Sequence, residues 1–196
     1  CDPPACRTCG YPFFGMVGRS KMCPHCADLE PLFEQGKALF LAKDAGRSLL
    51  HALKYQQGFY VLKDLHQMVT TSRHYLDYIH NATLIPVPLH PTKLRERGFN
   101  QSLLLAQALA RVGGGRVEEL LRRDVDTRSQ TEFDRKTRQA NLKNAFALVP
   151  GARLTPDLKY VLADDVFTTG STLYSCARVL RHAWALNLDI VIFAHG

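Results

Sequence analysis

The spacing of apolar and polar positions changes several times along the chain, and each change predicts a different element. Residues 1–28 show no helical period and are rich in Cys, Pro and Gly. From Pro31 the apolar positions read as helical: Leu32, Phe33, Ala38, Leu39 and Leu41, then Leu49, Leu50 and Leu53, to about Tyr55. Gly58 interrupts, and Tyr60, Leu62, Leu65, Met68 and Val69 recur at helical spacing. Residues 84–89, Leu-Ile-Pro-Val-Pro-Leu, are short and wholly apolar, which predicts a buried strand ending at the prolines. A basic loop follows. A helix from about Asn100 to Arg111 carries Leu103, Leu104, Ala106, Ala108 and Leu109, and Gly113, Gly114 and Gly115 stop it. Residues 118–123 read as a short strand, and residues 124–144 as a polar, basic stretch with one helix around Asp134–Asn141. Lys159 to Ala163 is a second buried strand, Asp164 to Gly170 a loop, Ser171 to about Ala185 a helix, and Asp189 to Ala194 a third strand. Strands alternating with helices predict an α/β fold, a parallel sheet flanked by helices on both faces. The expected division is a small N-terminal module over 1–30 and an α/β domain over 31–196.

Composition narrows the function classes. Of the 196 residues, 46% are hydrophobic and 22% charged, as in ordinary soluble domains, and no apolar run is long enough to span a bilayer. No charged segment followed by an apolar one stands near the start, which opens at Cys1. The expected compartment is the cytoplasm. The net charge of +7 suits an anionic partner, either a phosphorylated small molecule or nucleic acid. The cations gather in two stretches. One holds Lys93, Arg95 and Arg97; the other runs from Arg122 and Arg123 through Arg128, Arg135, Lys136 and Arg138 to Lys143.

Four of the six cysteines form two pairs, Cys6-x2-Cys9 and Cys23-x2-Cys26, with residues 10–22 between them. Gly10 follows the first pair and Pro24 lies inside the second, so each pair sits on a turn. Four thiolates on two such turns make a tetrahedral set of soft ligands with no open position, which suits structural Zn2+ and a zinc-ribbon module. Two disulfides or an iron–sulfur cluster are the alternatives, and a reducing compartment disfavours the first. Cys1 and His25 are spare ligands that fit the spacing less well. Cys176, in an apolar helical setting, reads as a small core residue.

The most specific string runs Tyr160-Val-Leu-Ala-Asp164-Asp165-Val166-Phe167-Thr168-Thr169-Gly170-Ser171-Thr172-Leu173. A strand runs into two carboxylates, then into small hydroxylated residues and a glycine that open a helix. Ligands bind at the carboxyl ends of strands in such sheets, and the free N–H groups of a helix start favour an anion. Thr168, Thr169, Ser171 and Thr172 add hydroxyl donors, and Gly170 lets backbone approach the ligand. The paired carboxylates suit hydroxyl groups about one sugar away from the phosphate. The alternative is a capped turn, since Asp, Thr and Ser all favour helix starts.

This string resembles the phosphoribosyl pyrophosphate motif of type I phosphoribosyltransferases. The resemblance implies that Asp164 and Asp165 bind the ribose 2- and 3-hydroxyls and that Thr168 through Thr172 wrap the 5-phosphate. Over nearly the whole chain, the order of Leu53-Lys54-Tyr55, Pro86-Val-Pro88-Leu-His90, Arg97-Gly-Phe-Asn100-Gln101, Thr127-Arg128-Ser-Gln130-Thr131 with Arg135, Arg138, Asn141, Ala145 and Phe146, and Asp164-Asp-Val-Phe-Thr-Thr-Gly170 resembles the ComF family, named for bacterial competence. That family also carries a cysteine-rich N-terminal module. A relative is the transferase domain of glutamine amidophosphoribosyltransferase. By that analogy His90, Lys93, Arg95, Arg97, Asn100 and Gln101 lie on a pyrophosphate loop. Residues 126–141, with Arg128, Gln130, Thr131, Arg135 and Arg138, form a flexible hood. The 196 residues include no glutaminase domain, so the glutamine-dependent reaction is not implied. The implied function is binding of phosphoribosyl pyrophosphate with Mg2+ bridging pyrophosphate and sugar hydroxyls, in DNA uptake or processing, with competence-machinery proteins as partners. Any catalysis would displace pyrophosphate at the anomeric carbon. The rival readings are a non-catalytic single-stranded DNA-binding module and a nucleobase-salvage enzyme.

Overall fold

A computed structural model describes residues 4–13, 22–23, 26, 31–55, 58, 60–125 and 145–196. The element order is β1 (Gly36–Leu41), α1 (Asp44–Tyr55), α2 (Tyr60–Thr71), α3 (Arg73–Ile79), β2 (Thr83–Pro86), α4 (Pro91–Arg97), α5 (Gln101–Gly113), β3 (Arg116–Val117), β4 (Leu121–Arg123), β5 (Phe146–Leu148), β6 (Lys159–Phe167), α6 (Ser171–His182) and β7 (Asn187–His195). Five strands form one parallel sheet in the order β1-β7-β6-β2-β3, and β4 and β5 pair as an antiparallel ribbon. The α/β fold expected from the alternation of elements is the fold observed.

The two central strands are apolar on both faces, as a parallel sheet covered on both sides requires. Tyr160 and Leu162 of β6 and Ile190 and Ile192 of β7 pack with Leu173, Cys176, Ala177 and Leu180 of α6 and with the N-terminal cysteines. Val161 and Ala163, with Val191 and Phe193, face the other way, onto Leu50 and Leu53 of α1, Val61 of α2, Ile79 of α3 and Leu105 and Leu109 of α5. Cys176 is a fully buried core residue. Among the described residues no helix is long and apolar enough to cross a membrane.

The helical reading of residues 31–41 is corrected: Gly36–Leu41 is a strand that pairs in parallel with β7, from Gly36 against Ile190 to Leu41 against His195. An apolar run this short satisfies either period, and only the vacant edge of β7 decides between them. Helix α3, absent from the expected elements, supplies buried Tyr75, Tyr78 and Ile79. Of the strand expected at 118–123 only Leu121–Arg123 is strand, β4, with the separate β3 just before it at Arg116–Val117, and α6 ends at His182 rather than near Ala185. The helix expected at Asp134–Asn141 lies outside the described residues.

The first cysteine pair sits on a hairpin closed by an Ala5–Pro12 bridge and docked on the outer edge of β1. The Gly36 N–H donates to Arg7 O at 2.8 Å. The approach is close enough that only glycine fits: a Cβ on Gly36 would lie 2.4 Å from Thr8 O, and one on Gly10 would lie 2.5 Å from Ala38 N. Gly36→Ala is therefore expected to push the hairpin off the sheet edge at a cost of about 1–3 kcal/mol. Urea unfolding of parent and variant checks this, and equal midpoints would mean the hairpin yields freely.

Candidate ligand and metal sites

Asp164 and Asp165 stand near the carboxyl end of β6, and both are buried. They are strand residues, not loop residues. Asp164, Val166 and Phe167 pair with Ile192, Ala194 and His195 of β7, so the ladder runs past the carboxylates and the loop shrinks to 168–170. Backbone pairing is indifferent to side-chain charge, which is why polarity misplaced the strand end. Being buried, the two charges have consequences for packing that loop carboxylates would not.

Each carboxylate is gripped by one oxygen. Asp164 Oδ1 accepts from Ser102 Oγ at 3.1 Å and from the Asp165 N–H at 2.9 Å. Asp165 Oδ2 accepts from Gln101 Nε2 at 3.2 Å and pairs with Lys54 Nζ at 2.6 Å. Among the described residues nothing donates to Asp164 Oδ2 or Asp165 Oδ1. Burial, and next the charge of Asp165, push the Asp164 carboxyl up to about 7, while the Asp165 N–H, Ser102 and Lys54 pull it back.

The loop past β6 leads straight into a helix start. Gly170 adopts φ 74 and ψ −2, a left-handed conformation that glycine takes without strain, and no side chain caps α6. Of the first-turn N–H groups of α6, that of Ser171 has a long contact to Thr169 Oγ1 at 3.5 Å, and the N-cap Gly170 has no side chain to satisfy the others. The Thr169 and Ser171 hydroxyls lie 2.9 Å apart beside them. Thr168 is exposed, Thr172 and Val166 are half-buried, and Phe167 is buried with its ring stacked on His195. An uncapped helix start beside two carboxylates offers an anion pocket next to a pair of hydroxyl acceptors.

The basic segment is not the loop expected. Residues 91–97 form α4, which starts at Pro91 with His90 Nδ1 accepting from the Thr92 N–H and ends at Gly98 with φ 81. Pro91 reads as a loop signal, yet proline fits the first turn of a helix, where its missing N–H has no partner to lose. Arg97, at the end of α4, donates to Gln101 Oε1 at 2.5 Å and lies over the Tyr55 ring at 5.4 Å. Arg95 is exposed and Lys93 half-buried. Asn100 caps α5 by accepting from the Ser102 N–H and donates to Val87 O, so it positions its neighbours rather than facing outward. The hood residues Arg128, Gln130, Thr131, Arg135 and Arg138 lie outside the described residues.

Cys6, Cys9, Cys23 and Cys26 are all buried, and their sulfurs lie within 4.8 Å of one another. None is in a disulfide. A tetrahedral site with metal–sulfur bonds of about 2.3 Å needs sulfurs about 3.8 Å apart, and Cys9 and Cys23 are 3.6 Å apart. The Cys23 N–H donates to Cys6 Sγ at 3.3 Å, a contact that ties the second pair to the first. Hydrogen bonds from Cys26 and Cys9 pull the Cys6 thiol down, while Cys9 and Cys26 are pushed up. Four buried thiols cannot all ionise without a cation among them. The cluster could therefore hold a metal ion such as zinc.

No family model matches the chain. Three curated proteins are similar to it over most of its length. Competence protein F of Haemophilus influenzae is 29% identical over 181 residues, covering 87% of this chain and 79% of that protein. The DNA utilization protein YhgH of Escherichia coli K12 is 30% identical over 202 aligned positions, covering 96% of this chain and 83% of that protein. Competence protein ComFC of Bacillus subtilis is 27% identical over 158 residues, covering 76% of this chain and 59% of that protein. The chain belongs to the ComF family.

In this ComF-family chain the fold brings together Asp164, Asp165, Gln101 and Arg97 of the sequence-derived set. It adds Lys54 and Ser102, which carried no site assignment. Ser102 had a signal, as the third residue of the Asn-Gln-Ser helix start. Lys54 had only its place in the Leu-Lys-Tyr segment. His195 was also missed: its Nε2 lies 3.2 Å from Cys9 Sγ and its ring touches Phe167, so it joins the cysteine cluster to the base of the phosphate-type loop.

Asp164 binds its proton at about 7 in the folded chain and at the ordinary 3.8 once burial is lost. Between those values the native state holds more protons than the unfolded one, so this group lowers stability as pH rises through that window. Its penalty is absent below the window and complete above it. Asp164→Asn, which cannot ionise, should therefore gain on the parent as pH increases from about 4 to about 8. Melting temperatures of both proteins across that range test the point, and a constant difference would mean that Asp164 titrates normally.

Proposed function

We propose that the carboxyl end of β6 binds phosphoribosyl pyrophosphate, or another ribose 5-phosphate ligand, and that the protein serves DNA uptake or processing. One observation carries the first part. Two ungripped carboxylate oxygens, Asp164 Oδ2 and Asp165 Oδ1, stand one short loop away from the start of α6, whose N-cap is a glycine and whose hydroxyls lie beside its first N–H groups. A ribose 5-phosphate presents that same pair of groups, a vicinal diol and a dianion. The diol would donate to the two carboxylates, and the 5-phosphate would take the N–H groups and hydroxyls of residues 168–172. Arg97 and its neighbours on α4 would face the pyrophosphate. If transfer occurs, the bond from the anomeric carbon to pyrophosphate breaks as the acceptor's bond forms, and these cations offset the charge gained by the leaving group.

The second part rests on the printed names of the relatives, competence proteins and DNA utilization proteins. DNA and competence-machinery proteins are the partners those names suggest. In this reading residues 1–30 are a metal-stabilised module and residues 31–196 the ligand-binding domain. The cytoplasm, where thiols stay reduced, is the compartment that keeps the four cysteines available for zinc. The net charge of +7 favours a second reading, a module that grips single-stranded DNA without catalysis.

Titration calorimetry with phosphoribosyl pyrophosphate, with and without Mg2+, tests the ligand assignment. Asp165→Asn should weaken binding about ten- to a hundredfold, the worth of a charged hydrogen bond. The same change should leave single-stranded DNA binding intact. Unaltered affinity for the sugar phosphate would hand the 160–173 string to the capped-turn reading, and salt-dependent DNA binding by a protein that ignores the sugar phosphate would favour the second reading.

Metal analysis of the purified protein should find a single zinc ion per chain. Cys9→Ser should release it and speed hydrogen exchange in β1, whose outer edge the hairpin covers. Iron in place of zinc, or no metal, would overturn this assignment.

A further inference from the structure

Five side chains close a ring around the carboxylates. Lys54 pairs with Asp165 at 2.6 Å, and Asp165 accepts from Gln101 at 3.2 Å. Gln101 accepts from Arg97 at 2.5 Å, and Arg97 lies 5.4 Å above the ring of Tyr55, which is bonded to Lys54 through the backbone. The ring joins the last turn of α1, the end of α4, the start of α5 and the end of β6. It includes two residues, Lys54 and Tyr55, to which neither the motif nor the relatives' names assign a role.

We propose that Lys54 and Tyr55 are positioning residues of the ribose-phosphate site: Lys54, with Gln101, holds one oxygen of Asp165 so that the second is turned to the ligand, and Tyr55 keeps Arg97 off the carboxylates. The inference rests on the ribose-phosphate reading given above. The ion pair is not a surface one, because Asp165 is buried and the Lys54 side chain is only 22% exposed. It engages Oδ2 together with Gln101, which leaves Oδ1 as the acceptor a sugar hydroxyl can reach. Two adjacent buried carboxylates cannot both stay charged without such a cation.

Arg97 faces the opposite hazard. A guanidinium one side chain removed from Asp165 could instead pair with that carboxylate directly. Here Gln101 stands between: its Nε2 serves Asp165 and its Oε1 takes Arg97. The face of Tyr55 supports the guanidinium from the other side, a cation–π contact. Among the described residues Arg97 makes no ion pair, so its charge is kept for an anion.

The groups facing the carboxylate pair are few. Lys54 approaches from α1, Ser102 and Gln101 from α5, Arg97 at one remove from α4, and the buried thiol of Cys176 from α6. Of these only Lys54 brings a positive charge into direct contact, and it is among the influences that draw the Asp164 proton off. Removing it should shift the protonation of Asp164 upward in pH and leave a less charged acceptor at neutral pH.

Calorimetry with phosphoribosyl pyrophosphate on the parent, Lys54→Met and Lys54→Arg, repeated across pH, tests this. Lys54→Met should bind about tenfold or more weaker at neutral pH and recover part of the loss at higher pH. The ligand's own titration is common to all three proteins and cancels in the comparison. Lys54→Arg should stay within about threefold of the parent, because the cation is kept. Tyr55→Leu should weaken phosphoribosyl pyrophosphate more than plain ribose 5-phosphate, since only the former carries the group that Arg97 would meet. A structural role for Lys54 would lower affinity equally at every pH, and that result would overturn the proposal. So would a Lys54→Met variant that binds as tightly as the parent, or more tightly, which would make Lys54 a place-holder that ligand must displace. Should Lys54→Met fail to fold, Lys54→Arg still decides: a loss beyond about tenfold contradicts a role carried by charge. A parent that binds neither sugar phosphate brings down the ribose-phosphate reading itself, an outcome distinct from a parent that binds and variants that do not differ.

Discussion

Two carboxylates on successive residues of one buried strand repel each other, and the architecture around the carboxyl end of β6 answers that repulsion. Asp164 is pushed up to about 7 by burial and by its neighbour's charge. Three elements converge to contain the cost: the last turn of α1 with Lys54, the first turn of α5 with Gln101 and Ser102, and the backbone N–H of Asp165 itself. Each donor takes one oxygen and leaves the other. An arrangement built only for stability would have replaced both charges with apolar side chains. That they persist in a fully packed sheet makes this end of β6 the candidate ligand site.

The sheet explains why the site is where it is. Parallel strands aim all their carboxyl ends to one edge, and the helices that follow begin there. β6 and β2 are neighbours, so the helix start after β6 and the α4–α5 corner after β2 lie side by side at that edge. The cysteine cluster belongs to the same layering from another direction. Its hairpin covers the outer edge of β1, which would otherwise expose unpaired backbone groups. His195, at the last residue but one, touches both Cys9 and Phe167, so the cluster and the loop of the ligand site share a wall.

Much of this was legible along the chain. The runs at 159–163 and 189–194 could be placed as buried strands because both faces are apolar over 160–163 and 190–194, and the structure extends each run. The CxxC spacing announced a four-sulfur cluster because two tight turns can aim thiols at one point with no help from the rest of the fold. Three elements resisted. Residues 36–41 fit a helix or a strand equally well until a partner strand exists. Pro91 reads as a breaker unless the chain is known to turn just before it. Asp164 and Asp165 read as loop because burial of two charges is improbable until the donors that make it tolerable are known.

The sequence by itself determined the α/β class, the cysteine cluster, the strand–carboxylate–glycine–helix string and the membership in a family, because each depends on local patterns and on their order along the chain. The tertiary structure alone decided which oxygen of each carboxylate is gripped, and by what. Lys54 lies far from Asp165 in sequence, and no periodicity relates them; only the packing of α1 on the sheet face beside α5 brings the amine to the carboxylate. The same packing interposes Gln101 between Arg97 and Asp165. Local pattern fixes elements through backbone geometry, whereas charge pairing is a matter of distance in space, and distance is set by how the elements stack.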